Sequence, residues 1–465
     1  MSINDHSQLY KELRCKHPEL VYENYTINYK RDDLFIEFLF TMTGDIEFRP
    51  SLHIPATTFF RPENIPENLL RNLVFHIGMI ELISYWKTAC PPKIIIKPHK
   101  LNEEQIEWWK NLYYNGMGEF FFLNNIAVDY NSFLNLYNSK NGAEGVGSSR
   151  IDLSDGIIIP VGGGKDSVVT LELLKNHCPS SIPLVINHRL ATLQTIECAG
   201  FKPEDVLVIN RELDKTMLDL NEKGYLNGHT PFSALLAFVT LLASAGSKVK
   251  YVALSNESSA NDATIPGTNI NHQYSKSYEF EKDFRNYVAK YICPEMEYFS
   301  FLRPFNELQI AALFAGYRKY HRVFKSCNAG SKSDIWCCNC SKCLFVFIIL
   351  LPFLDPGELK KIFGENLLEK PGLKKYFDEL TGISEYKPFE CVGTVEEVNV
   401  ALCIAIEKYY DIQEKPVLIK HYMESEKYNH YFNSRTDLLS TVSSKHFVPE
   451  RFIGRLMDNL PTEHR

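Results

Sequence analysis

Apolar and polar positions change their spacing along the chain, and each spacing predicts a different element. Residues 34–48 partly alternate (FIEFLF, then DIEF), the two-residue period of a half-buried strand, and Thr43-Gly44-Asp45 between the runs predicts a hairpin turn. From 63 to 87 apolar residues recur at helical spacing through LLRNLVFHIGMIELISYW, and Pro91 and Pro92 close the segment. Residues 103–114 carry a second helical pattern. Residues 138–150 (NSKNGAEGVGSSR) are poor in apolar side chains and rich in Gly, Ser and Asn, the composition of a linker or surface loop.

From 156 onward the pattern changes. Short β-branched runs at 157–161, 184–187, 206–210 and 249–254 suit strands buried on both faces. Helical segments at 167–176, 193–199 and 231–245 lie between them, with Thr230 expected as N-cap and Pro231 as first helical residue. Strands alternating with helices predict βαβ units and a doubly wound parallel α/β sheet. Residues 356–465 read as mainly helical, most clearly at 396–410. The expected organisation is an α+β domain over 1–150 with possible substrate binding, an α/β domain over 151–355 and a helical region over 356–465.

Composition adds few constraints. At roughly 150 residues per domain, 465 residues correspond to about three domains. Fifty basic against 57 acidic residues give a net charge of −7. A protein that lives on phosphate backbone shows a basic excess, so no nucleic-acid partner is expected. The amino terminus shows no apolar signal region. The longest apolar stretches, 232–246 and 343–354, fall short of the ~18–20 residues of a membrane span, so they read as core. A soluble cytoplasmic protein without a membrane partner is expected. Twelve cysteines are present and five fall between 327 and 343, which favours reduced thiols or metal over a disulfide framework.

The most informative string is Ile157-Ile158-Ile159-Pro160-Val161-Gly162-Gly163-Gly164-Lys165-Asp166-Ser167, read as strand, glycine turn and helix start. Glycines let the backbone approach an anion, and the helix N-terminus and Lys165 and Ser167 add donors. A carboxylate in such a cradle, Asp166, makes sense with a divalent cation between it and the phosphates. A Walker A loop would need glycine at 159, where Ile stands, and Ser or Thr at 166. A dinucleotide fingerprint would need glycine at Ser167. The string resembles the pyrophosphate loop of the PP-loop ATP pyrophosphatases (adenine nucleotide alpha hydrolase-like), usually Ser-Gly-Gly-x-Asp-Ser, with Gly162 in place of the first serine. That resemblance implies ATP bound through Gly162, Gly163, Gly164, Lys165, Asp166 and Ser167 with Mg2+, and cleavage between the α and β phosphates. Asn187 and His188, at the end of the second strand run, are then candidates for nucleotide contacts.

A narrower resemblance extends over most of the chain. Phe75-His76-Ile77-Gly78, Tyr85-Trp86-Lys87, Gly162–Ser167, Asn227-Gly228-His229-Thr230-Pro231, Ser255-Asn256-Glu257, Asn271–Phe280, Leu302-Arg303-Pro304-Phe305 and the block from Trp336 to Phe347 are similar to the ATP-dependent UDP-N-acetylmuramoyl-L-alanyl-L-glutamate epimerases. The resemblance implies an isomerase that adenylates the terminal L-glutamate carboxylate, releases pyrophosphate and AMP, and inverts the α-carbon to D-glutamate for peptidoglycan. Its substrate would be a small nucleotide-sugar peptide.

Other residues suit parts of that chemistry. Glu257 follows a strand end, where open α/β sheets bind ligands, and reads as a metal or base residue with Asn256 as an amide contact. His229 is left unexplained by local structure. Asn271, Gln273, Tyr274, Lys276 and Ser277 fall in a polar stretch without a strand or helix period, read as a substrate-facing loop. Asp166, Lys165, Glu257, His229 and Lys276 are therefore the catalytic candidates, with Cys327 a further possible base. Cys327, Cys337, Cys340 and Cys343 give C-x9-C-x2-C-x2-C, which suits tetrahedral zinc, although Cys338 is a fifth cysteine in the cluster. Some PP-loop enzymes that make nitriles carry a comparable cluster, so an amide or nitrile synthetase acting on a small carboxylate is the alternative. A tRNA-thiolating enzyme is disfavoured by the net charge, and a non-catalytic nucleotide module by the intact Lys165-Asp166-Ser167.

Overall fold

The computed structural model describes residues 5–265, 267–268, 270–409 and 414–461. The chain is mixed α/β. Its strands are β1 (Glu19–Lys30), β2 (Asp33–Met42), β3 (Ile46–Phe48), β4 (Ser51–Ile54), β5 (Lys93–Ile96), β6 (Asn135–Asn138), β7 (Ser154–Pro160), β8 (Ser181–Ile186), β9 (Leu207–Glu212), β10 (Val249–Leu254) and β11 (Glu297–Ser300). Residues beyond 355 form helices and turns, and no strand follows β11 among the described residues. The chain divides into two compact units. One comprises 1–158, 207–252 and 269–298; the other comprises 159–206, 253–268 and 299–465.

In the first unit the expected hairpin is present. β2 and β3 pair antiparallel, Phe40 opposite Phe48, and Gly44 (φ 95°) and Asp45 (φ 59°) make the left-handed turn. β2 also pairs antiparallel with β1 and β4. β1 runs parallel to β5, and β5 to β6. β9, expected in a parallel sheet, pairs antiparallel with β4, His53 opposite Asn210. β7 and β10 pair parallel, as expected. The helix Glu67–Trp86 covers the sheet, and Gly78 permits this: a Cβ there would lie 1.9 Å from the Tyr22 hydroxyl. Its neighbour, Phe232–Ser247, is buried over most of its length. This helix starts one residue later than expected. Pro231 is its N-cap with no side-chain cap hydrogen bond, and the Phe232 N–H bonds the Thr230 carbonyl at 2.7 Å, so Thr230 lies outside the helix.

In the second unit the helix Ser341–Leu350 is buried along its whole length and forms the centre of the core. Helices Lys165–Leu174, Glu307–Gly316 and Val395–Tyr409 pack with it or with each other. Tyr410, at the end of the predicted 396–410 helix, lies outside the described residues. Among the described residues no helix is long and apolar enough to cross a membrane.

Candidate active site

The glycine loop lies in the second unit, where Gly164 is the N-cap of the helix Lys165–Leu174. Its three glycines are constrained differently. Gly163 has φ +83°, and a Cβ there would stand 3.3 Å from Thr192 Cα. A Cβ on Gly164 would stand 3.2 Å from Ser326 Cβ, whereas one on Gly162 would meet nothing within 4 Å. Three hydrogen bonds hold the loop: the Lys325 N–H to the Gly163 carbonyl (2.9 Å), Arg189 to the Gly162 carbonyl (3.3 Å) and the Gly163 N–H to Ser167 Oγ (3.2 Å). Ser167 Oγ in turn donates to the Gly164 carbonyl at 2.9 Å, so this hydroxyl shapes the loop.

Lys165 is buried at 2% exposure, and its ammonium is paired with the carboxylates of both Asp166 and Glu307. Burial alone would lower its pKa, but the two carboxylates outweigh burial and hold the lysine charged. Glu307 begins the helix Glu307–Gly316 under an Asn306–Gln309 capping box. Burial pushes its carboxyl up against the pull of Lys165, and the Asp166 and Glu257 charges add to the rise. Glu397 accepts the Glu307 N–H at 2.8 Å, and its own pKa is raised by burial and by Glu257. The charges of Lys165, Asp166, Glu257 and Lys342 all act on Glu307, and that of Glu257 acts on Glu397, so these residues form one electrostatically linked group around the phosphate loop. Arg303, fully buried, donates to the Glu257 carbonyl (2.7 Å) and to Ser300 Oγ (3.1 Å). Asn256 Nδ2 donates to the same hydroxyl at 3.0 Å, which fixes the 255–257 turn at the end of β10.

A cleft of about 540 Å³ in the same unit is lined by His188, Arg189, Leu190, Leu193, Ser331, Lys332 and Asp334. This is within the size range of small-ligand pockets. Asn187, just after β8, adopts φ 50°, a left-handed conformation that asparagine tolerates. The Asp334 carboxylate accepts the Leu190 and Ala191 N–H groups at 3.1 and 3.3 Å and so caps the helix on one wall of the cleft.

The sulfurs of Cys327, Cys337, Cys340 and Cys343 lie within 4.8 Å of one another. The backbone N–H of Gly330 donates to Cys327 Sγ at 3.1 Å and that of Cys343 to Cys340 Sγ at 3.4 Å. Such N–H···S bonds favour thiolates, and four sulfurs this close make a donor set that fits tetrahedral zinc. Hydrogen bonding within the group, led by Cys343, brings the Cys340 thiol down to about 5. Cys338 stands apart, with its thiol on the Phe363 carbonyl at 3.2 Å.

The remaining site residues lie in the first unit. His229 Nδ1 is 3.5 Å from Glu119 Oε2, and His272 Nδ1 is hydrogen-bonded to the same oxygen. Burial, helped by His272, Lys87 and Lys276 and opposed by Glu119, lowers the His229 pKa to about 4. Lys87 donates to the Gly228 carbonyl at 2.9 Å, and burial with Arg211 nearby brings it down to about 8. Ser277 Oγ caps the helix Tyr278–Tyr291 by accepting the Phe280 N–H. Asn271 Oδ1 accepts the Gln273 N–H at 2.7 Å, which turns the loop toward Tyr274 and Lys276.

Residues 12–301 match the MurL N-terminal domain and residues 323–434 the MurL C-terminal domain. The chain is similar to proteins named UDP-N-acetyl-alpha-D-muramoyl-L-alanyl-L-glutamate epimerase in three bacteria. The Xanthomonas oryzae pv. oryzae protein is 30% identical over 82% of this chain and 85% of its own length. The Salinispora tropica protein is 33% identical over 82% of each chain. The Micromonospora protein is 31% identical over 83% of this chain and 86% of its own. The chain belongs to the MurL family. No solved structure matches it significantly.

In this MurL-family chain the predicted residues thus form separate groups. Gly162–Ser167, Asn187, His188, Asn256, Glu257 and the four cysteines belong to the second unit. His229, Asn271, Gln273, Tyr274, Lys276 and Ser277 belong to the first. Sequence reasoning missed Glu307, Glu397 and Arg303 in the second unit and Glu119, His272 and Lys87 in the first. Arg303, His272 and Lys87 stand inside strings that carry the family resemblance, so that signal was present. Glu307 and Glu119 sit in ordinary helix-start contexts with no local mark.

Proposed function

We propose that the chain is an ATP-dependent epimerase that inverts the terminal L-glutamate of UDP-N-acetylmuramoyl-L-alanyl-L-glutamate and supplies D-glutamate in peptidoglycan synthesis. The observation that carries this reading is its similarity to relatives of that name over 82–83% of its length and 82–86% of theirs. The glycine loop supports the ATP requirement. We read Gly162–Ser167 as the pyrophosphate loop of a doubly wound PP-loop domain, with Asn187 and His188 beside the nucleotide.

In this reading a glutamate carboxylate oxygen attacks the α-phosphorus of ATP. The bond to pyrophosphate breaks and an acyl-adenylate forms. A carboxylate beside a carbon acid opposes loss of the α-proton, because two negative charges would then be adjacent. Adenylation removes that charge, so a positioned base takes the proton and a donor returns one to the opposite face. Hydrolysis of the mixed anhydride frees the carboxylate and AMP. Lys165 would add positive charge to the phosphate loop once ATP and Mg2+ take over its carboxylate partners. Asp166 and Glu257 would hold Mg2+, which supplies further screening of the phosphates. The four cysteines would hold a structural zinc, so Cys327 is assigned to that cluster instead of to proton transfer. Glu257, His229 and Lys276 are the proton-transfer candidates, and Lys87, brought down to about 8, joins them. Asn256, Asn271, Gln273, Tyr274 and Ser277 are candidates for holding the peptide.

The test is incubation with the dipeptidyl nucleotide, ATP and Mg2+ in heavy water. The expected result is AMP, pyrophosphate and product deuterated at the glutamate α-carbon. Neither pyrophosphate nor deuteration, together with a stable amide from a small carboxylate and ammonia, would move the chain to the synthetase reading.

A further inference from the structure

One side-chain cluster of the first unit is unused by the phosphate loop and by the cysteines. Glu119, His229 and His272 come from three segments far apart in sequence, yet each offers one ligand atom and these atoms lie within 4.8 Å of one another. We propose that these three residues form a second metal site, for a divalent transition-metal ion of the zinc class.

The backbone is built for this convergence. Glu119 lies in the short helix Gly118–Leu123, just after the helix Glu103–Gly116. A Cβ on Gly116 would stand 2.9 Å from Pro231 Cγ, and one on Gly228 would stand 2.9 Å from Phe120 Cδ2. Glycine at both positions lets the His229 loop close on the Glu119 segment. The Asn124 side chain pins the same contact by donating to the carbonyls of Phe120 (2.8 Å) and Asn227 (3.3 Å). A Cβ on Gly118 would lie 3.8 Å from Ile270, just before the His272 loop, so this segment too runs close to the Glu119 helix.

The donor set selects the ion. Two imidazoles and one carboxylate suit zinc and its first-row neighbours, whereas magnesium and calcium take oxygen ligands. The Glu119 carboxylate is buried at 5% exposure, where an ionised group needs a cationic partner. Three protein donors leave a fourth tetrahedral position for water or for an oxygen of an anionic ligand. Lys87, held on the Gly228 carbonyl next to His229 in sequence, adds positive charge that acts on the His229 ring. The ring geometry disfavours a pair of opposed acid–base histidines. The centroids of His229 and His272 are 4.6 Å apart with 47° between the planes. That leaves no room for a carbon atom between them, because each face of such a carbon needs its own base at roughly 3 Å.

The proposal takes His229 out of the proton-transfer candidates and leaves Glu257, Lys276 and Lys87; it is otherwise independent of the epimerase reading, because its readout is metal content. Full-length protein purified without chelators and equilibrated with Zn2+ is analysed for metal per chain, in wild type, H229N, E119Q and a C327S/C340S variant. The His and Glu variants should each lose about one zinc equivalent relative to wild type, the count for one site. The cysteine variant should keep that equivalent. Co2+ loading gives an independent signal: H229N should keep the thiolate-to-cobalt charge-transfer band and the d–d absorption of the cysteine cluster and lose only the additional d–d absorption of the nitrogen–oxygen site, while C327S/C340S should show the reverse. Equal zinc content in wild type, H229N and E119Q would overturn the proposal. So would a cysteine variant that folds and binds no zinc. If one variant fails to fold, the other three and the cobalt spectrum still decide it.

Discussion

Gly162 and Gly163 are adjacent, yet only one of them needs to be glycine. Gly163 sits at φ +83° with Thr192 3.3 Å from where a Cβ would be, while a Cβ on Gly162 would meet nothing within 4 Å. Gly163→Ala should therefore cost about 1–3 kcal/mol, the usual range for a residue forced into a left-handed conformation. Gly162→Ser should leave the melting temperature unchanged and restore the serine of the PP-loop pattern. Thermal denaturation of both variants checks this, and a large loss in Gly162→Ser would contradict it. The Lys165 ion pairs give a second contrast. Lys165 and Glu307 are each 2% exposed, and removing one partner of a buried pair typically costs about 3–5 kcal/mol, so Lys165→Met should destabilise by about that much. Asp166→Ala leaves Lys165 with Glu307, so the protein should stay folded and lose pyrophosphate release. Lys165, Asp166 and Ser167 stand out in the sequence as candidates because they are contiguous and their order has a chemical meaning. Glu307 does not, because it reaches Lys165 across 142 positions of sequence.

At the scale of elements, local periodicity was a sound guide to where helices and strands lie and a poor one to their partners. The helix predicted over 63–87 is found as Glu67–Trp86, and the strand runs at 157–161 and 249–254 pair parallel as β7 and β10. The strand run at 206–210 has β4 as an antiparallel neighbour that its sequence did not announce, because partner choice follows tertiary register, which a six-residue strand does not encode. Helix Glu67–Trp86 also carries a titratable load that its apolar pattern hides. His76 is 1% exposed, its ring nitrogens engaged by the Asn72 carbonyl and the Tyr287 hydroxyl, both at 2.8 Å. Burial, with a smaller push from His99, lowers its pKa from 6.5 to about 4. The unfolded chain therefore binds more protons than the folded one between those values. His76 costs nothing above pH 6.5, and below it stability falls as pH falls, by about 1.4 kcal/mol per unit until near pH 4. Urea titrations between pH 7 and 4 should show a smaller slope in His76→Gln than in wild type. Equal slopes would mean that this ring is not held neutral.

At the scale of the whole molecule, family membership spans both units: the N-terminal match covers residues 12–301 and the C-terminal match 323–434. An enzyme acting on a small free acid has little use for so long a chain. A substrate that carries a nucleotide and a sugar offers many contacts far from the reacting carbon, and such contacts raise the rate when they hold the glutamate in line for attack. This gives a prediction that separates a large substrate from a small one. L-Alanyl-L-glutamate without the nucleotide-sugar should turn over with a lower kcat as well as a higher KM, and free L-glutamate should be poorer still. Binding energy used only for capture would raise KM alone. Steady-state pyrophosphate release measured on the three compounds distinguishes the cases. Equal kcat across the series would show that the remote part of the substrate does not help position the carboxylate. Comparable kcat/KM for free glutamate would remove the case for a nucleotide-sugar peptide as the substrate.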